Sequence, residues 1–137
     1  MASPFDLTGR GALVTGANTG IGQGIALALA QAGATVVAAG RSDLNETLGL
    51  VAAAGGTAHA LKVDLQEQGI APRVIAQAEG LAGPLDILVN NAGIIRRADA
   101  LDFSESDWDE VMNVNLKATF FLAQAFAKSA VEAGRGA

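Results

Sequence analysis

The sequence predicts an α/β fold: a parallel sheet of about four strands, in the order 3-2-1-4, with helices on both faces. Three observations carry that expectation. Short apolar runs alternate with longer helical stretches along the 137 residues, the pattern of successive βαβ units with right-handed crossovers. The apolar runs are nearly continuous rather than alternating, as strands covered on both faces require. A glycine-rich turn, "VTGANTGIGQG" at 14–24, joins the first run to the first helical stretch, where folds of this kind bind phosphate.

The elements follow in order. "GALVT" (11–15) is a short apolar strand, and 20–33 has helical length and ends on Gly33, a natural C′ residue. "TVVAA" (35–39) is the second strand. The stretch 42–56 reads as a helix opened by Ser42 and Asp43 and closed by Gly55 and Gly56. A third strand lies within 57–65, and a third helical stretch covers 66–82 with Pro72 in its first turns. "LDILVN" (85–90) is the fourth strand. After a loop, Ser104 begins a cap-like "SESD". Apolar positions then recur at helical spacing through Trp108, Val111, Met112, Leu116, Phe120, Ala123 and Ala127, to about Val131. No repeat or low-complexity segment divides the chain, so 1–137 reads as one domain.

Composition narrows the function. The net charge of −5 argues against nucleic acid as the main partner. There is no cysteine, and His59 is the single histidine, so thiolate and histidine metal sites are not expected. No apolar run approaches the ~18 residues of a membrane helix, and "MASPFDLTGR" lacks the basic start and apolar centre of a secretory signal. A cytoplasmic protein with a small-molecule substrate and no membrane contact is the expectation.

The turn has the spacing G-x-x-x-G-x-G at Gly16, Gly20 and Gly22. That is neither the G-x-G-x-x-G fingerprint nor a P-loop, since no Gly-Lys-Ser/Thr follows. Side chains at these glycines would hold a phosphate away from the helix N-terminus, so dinucleotide binding is favoured over a turn built only for packing. Gly24, one step further on, reads as a helix–strand packing position. Cofactor choice is read just past the second strand, where "AAGRSD" puts Gly40 in the place of an acidic ribose reader and Arg41 after it. Arg41 suits NADP, while Asp43 reads as a helix cap.

"TGANTGIG" at 15–22, "NNAG" at 90–93, Asn115 in "MNVNLKATFF" and "VDL" at 63–65 together resemble the ordered signatures of the short-chain dehydrogenase/reductase family. The resemblance covers the whole chain but only the N-terminal half of a typical member. It implies a Rossmann-like sheet, truncated here before the later strands, and a nicotinamide cofactor. The local sequence is most similar to a sugar-acid subgroup of the family, which implies NAD, with NADP possible through Arg41. The implied cofactor contacts are Gly16, Asn18, Thr19, Gly20, Ile21 and Gly22 at the pyrophosphate and ribose, and Asp64 and Leu65 at the adenine. Asn90, Ala92 and Gly93 would run beside the ribose. Asn115 lies in an apolar helical stretch, where an amide must find partners. The resemblance gives it a water in a proton relay.

Arg96 and Arg97 follow "NNAGII" where substrate should arrive, and a sugar acid carries a carboxylate that arginine can grip with two hydrogen bonds. A solvated pair is the competing reading. Asp102, Glu105, Asp107, Asp109 and Glu110 fit a helix N-terminus on dipole grounds rather than a metal site. Trp108, Phe120, Phe121 and Phe126 read as core or subunit-contact residues, and His59 as a surface residue. The family also implies a tetramer, with the long 105–132 helix in one interface.

The family's acid–base chemistry uses a serine in a later strand and Tyr-x-x-x-Lys in a later helix. This sequence has no tyrosine. The chain is therefore expected to be the cofactor-binding half of a dehydrogenase, without its proton-transfer group. The alternative is a non-catalytic nucleotide-binding fragment or an inactive assembly partner.

Overall fold

A computed structural model describes residues 3–135. Four strands, β1 (Gly11–Thr15), β2 (Thr35–Gly40), β3 (Thr57–Lys62) and β4 (Leu85–Val89), form one parallel sheet in the order β3-β2-β1-β4. The strand order and the parallel pairing are those the sequence predicts. Between the strands run α1 (Gly20–Gln31), α2 (Asn45–Ala53) and α3 (Ala71–Ala82), and after β4 come α4 (Glu105–Met112) and α5 (Thr119–Glu132).

The alternation of side chains along β1 and β2 sorts the core into two layers. Ala12, Val14, Val36 and Ala38 face α1 and α2 and pack with Ala26, Ala30 and Val51. Leu13, Val37, Ala39 and Leu85 face the other way, toward Val74, Ile75 and Ala78 of α3 and Leu122 of α5. The small alanines on α1 let that helix approach the sheet closely. The β1–β4 register shifts between Gly11 and Ala12, where the Gly11 N–H leaves the ladder to meet the Asp86 carboxylate at 3.1 Å.

Several boundaries move. The second helix starts at Asn45 rather than at 42, because Asp43 spends its carboxylate on the Asn45 N–H, 2.9 Å away, in a local turn before the helix. The third helix starts at Ala71, with Pro72 as its second residue. Ahead of it, Asp64 accepts from the Gln66 N–H at 3.0 Å and holds the preceding segment in a turn. Ser104 caps α4 as expected, accepting from the Asp107 N–H at 3.1 Å. The long helical run does not continue as a single α-helix: residues Asn113–Ala118 form a π-helical segment between α4 and α5.

The aromatic residues, expected in the core or in a subunit contact, divide, and only one of them is core. Phe126 packs against the core, whereas Trp108 and Phe120 are both 59% exposed and Phe121 is 42% exposed. The extra backbone atoms of the π turn rotate the face that follows it, so spacing read at 3.6 residues per turn misassigns Phe120 and Phe121 as core, whereas Trp108 lies on α4, ahead of that turn. His59 is half-buried on β3 rather than fully on the surface.

Candidate functional site

The carboxyl ends of the four strands open onto a cleft of about 460 Å³. Gly16, Asn18, Thr19, Gly20, Ile21 and Gly22 line it from the β1–α1 turn, Arg41 from the end of β2, Asp64 and Leu65 from the end of β3, and Ala92 and Gly93 from the end of β4. Segments far apart in sequence thus meet because every parallel strand points its carboxyl end the same way. A larger hollow of about 550 Å³ lies between α3 and α5, and none of the glycine-turn residues borders it.

The turn is built from backbone that only glycine adopts easily. Gly16 and Gly20 have φ of +62° and +58°. A side chain on Gly20 would meet no protein atom within 4 Å, so the space it would fill is open to a ligand. Gly22 serves a different purpose. It is buried, and a Cβ there would collide with the Gly16 carbonyl and the Asn91 side-chain amide. Gly24 does not pack a helix onto a strand, as the sequence suggested. It is exposed and has open space around it. The packing role belongs to Gly22, two residues earlier and facing inward.

Asn91 and Thr15 stitch the glycine turn to the turn after β4. The Asn91 amide donates to the carbonyls of Thr15 and Gly16, both at 3.2 Å. The buried Thr15 hydroxyl accepts from the N–H groups of Asn91 and Ala92 at 3.1 and 3.0 Å. Sequence reasoning passed over both residues as functional supports. The signal was a polar side chain at the end of each of two apolar strands, which must find partners there.

Asn90 does not line the cleft; its amide donates to the Thr119 carbonyl at 3.3 Å, at the start of α5. Asn115 sits in the π-helical segment and is exposed rather than enclosed in a helical core. Its side chain clasps one residue on both sides, accepting from the Ile94 N–H at 2.8 Å and donating to the Ile94 carbonyl at 2.9 Å. Ile94 borders the cleft, so Asn115 fixes the cleft wall without lining it.

The two arginines separate. Arg96 forms a 2.9 Å ion pair with Glu110 and reaches Asp107 at 4.0 Å, so acids at the start of the long helical segment already neutralise it. Arg97 is exposed and has no ion-pair partner among the described residues. Among the described residues no group of three or more His, Asp or Glu is placed to hold a metal ion, and no helix is long and apolar enough to cross a membrane.

The glycine turn, the strand-end cleft and the parallel sheet agree with what residues 10–137 match, the short chain dehydrogenase family. The chain belongs to that family. Short-chain dehydrogenases similar to it include 2-dehydro-3-deoxy-D-gluconate 5-dehydrogenase of Escherichia coli, 48% identical over 98% of this chain and 53% of the relative. Gluconate 5-dehydrogenase of Gluconobacter oxydans is 43% identical over 96% of this chain and 52% of its own length. A crystal structure of a candidate 2-deoxy-D-gluconate 3-dehydrogenase from Agrobacterium tumefaciens, with bound NADP, superposes with a TM-score of 0.87 at 55% identity. That match covers 98% of this chain and 52% of the other. The chain thus spans about half the length of the relatives it matches.

Proposed function

We propose that this chain forms the cofactor-binding half of an NAD(P)-dependent dehydrogenase acting on a sugar acid such as 2-deoxy-D-gluconate or 2-dehydro-3-deoxy-D-gluconate. The observation that carries the reading is the cleft at the strand ends, with the left-handed Gly20 of its turn facing open space and the left-handed Gly16 packed against Ala92 and Asn91. A dinucleotide fits that site: Gly16 to Gly22 would hold its phosphates, Asp64 and Leu65 its adenine, and Ala92 and Gly93 its ribose. When bound, the cofactor supplies hydride transfer. The residues of this chain bind and orient it, and Asn115 holds the wall at Ile94. The proton-transfer role is not assigned to any residue here, since the sequence has no tyrosine.

NADP is the cofactor this reading favours over the NAD that the subgroup resemblance suggested. Gly40 offers no carboxylate to a ribose 2′-hydroxyl, and the exposed guanidinium of Arg41 stands at the cleft rim. The similar Agrobacterium structure carries NADP. Fluorescence titration with NADPH and NADH tests this. Arg41→Ala is expected to weaken NADPH about tenfold while moving NADH less than about twofold. A chain that binds neither cofactor would falsify the reading.

For the substrate, Arg97 is the arginine with a charge to offer, since Arg96 is paired with Glu110. In the full protein, Arg97→Met is expected to raise the KM for a sugar acid about tenfold with kcat little changed. Steady-state kinetics with 2-deoxygluconate checks it, and an unchanged KM removes Arg97 from the substrate site. The same assay on the 137-residue chain separates the alternative, a nucleotide-binding fragment, which binds NADPH and turns nothing over.

A further inference from the structure

Behind the glycine turn lies a polar pair that lines no part of the cleft. Thr47, in the first turn of α2, is fully buried. Its hydroxyl donates to the Ala17 carbonyl at 2.6 Å and accepts from the Gln23 side-chain amide at 3.1 Å. The same Gln23 amide also donates to the Asn18 carbonyl at 3.1 Å. A buried hydroxyl is costly unless it is used. Here it is used on the backbone of the cofactor turn, with every proton of the Thr47–Gln23 chain accounted for.

The consequence comes from peptide planarity. The described chain has no cis peptide bond, so each N–H points opposite the carbonyl of its own peptide plane. Drawing the carbonyls of Ala17 and Asn18 toward Thr47 and Gln23 turns the N–H groups of Asn18 and Thr19 the other way. Among the described residues neither N–H meets a backbone acceptor, and Asn18 and Thr19 both line the cleft. Successive unpaired N–H groups of this kind form an anion-binding concavity.

We infer that Thr47 and Gln23 are positioning residues, which aim the N–H groups of Asn18 and Thr19 at a phosphate of the dinucleotide. This rests on the cofactor reading above. The role is distinct from packing, because valine would fill the same space as Thr47 without orienting either carbonyl.

The test compares a ligand with phosphates to one without. NADPH affinity is read by fluorescence titration on the full chain, and adenosine affinity by displacement of NADPH. Thr47→Val is expected to weaken NADPH about tenfold and adenosine less than about twofold. Thr47→Ser keeps the hydroxyl and is expected to stay within about twofold of the unmodified chain for both. Gln23→Met removes the amide at a half-exposed site and is expected to weaken NADPH about threefold. It decides the matter should Thr47→Val fail to fold. Unchanged NADPH affinity in a folded variant, or equal weakening of NADPH and adenosine, overturns the inference. An unmodified chain that binds no NADPH overturns the cofactor reading and this inference with it. An unmodified chain that binds NADPH beside variants that bind it equally well overturns the inference alone.

Discussion

Gly22→Val is expected to destabilise the protein by about 3 kcal/mol or more and to abolish measurable NADPH binding. The added side chain would overlap the Gly16 carbonyl and the Asn91 amide. Neither can step aside cheaply. The Gly16 carbonyl belongs to the turn itself and accepts from Asn91, and Asn91 holds the Thr15 carbonyl at the same time. Relief must come from moving the start of α1 away from β1, which disturbs the proposed phosphate site and the core together. Gly24→Ala is the internal control. Gly24 is exposed within α1, with no atom near the position of the new methyl, so this change is expected to stabilise by about 0.5–1 kcal/mol. Thermal unfolding of both variants, with NADPH titration, checks the pair. Equal melting temperatures for Gly22→Val and the unmodified chain would remove the packing role assigned to Gly22.

The contrast between those two glycines marks where sequence reading stops. The spacing G-x-x-x-G-x-G is visible in the sequence, and so is its place between a strand and a helix. Which glycine clears a ligand and which clears the protein's own backbone depends on what lies opposite, and Asn91 is 69 residues away from Gly22. The strands and their order were legible because nearly continuous apolar runs admit few arrangements. The π-helical segment was not. "NVNLKA" carries no local signal for an i→i+5 turn, and only the contact between Asn115 and Ile94 shows what the widened turn accommodates. Arg96 and Arg97 were adjacent and equivalent as letters. Glu110, one helix away, separates them by neutralising one.

Thr15→Val should be the most damaging conservative substitution at the cleft. The volume barely changes, so the effect isolates the hydroxyl. That hydroxyl accepts from two backbone N–H groups, those of Asn91 and Ala92, and is 1% exposed. Without it both N–H groups lose their acceptor in a site that water enters poorly. At about 1–3 kcal/mol for each of the two orphaned groups, the expected loss is roughly 2–6 kcal/mol. Thr15→Ser keeps the acceptor and gives up one methyl, so it is expected to cost only about 1 kcal/mol. Urea unfolding of the two variants measures the difference, and a Val variant no less stable than the Ser variant would sink the argument. The functional effect follows from the same bonds. Ala92 lines the cleft, and its N–H is held in place by Thr15. Freeing it loosens the cleft wall opposite the glycine turn, so NADPH affinity is expected to fall about tenfold in Thr15→Val and little in Thr15→Ser. The buried Thr15 hydroxyl, with the Asn91 amide, thereby joins the first strand's turn to the fourth strand's turn, and the strand-end cleft is expected to hold its shape only while both are joined.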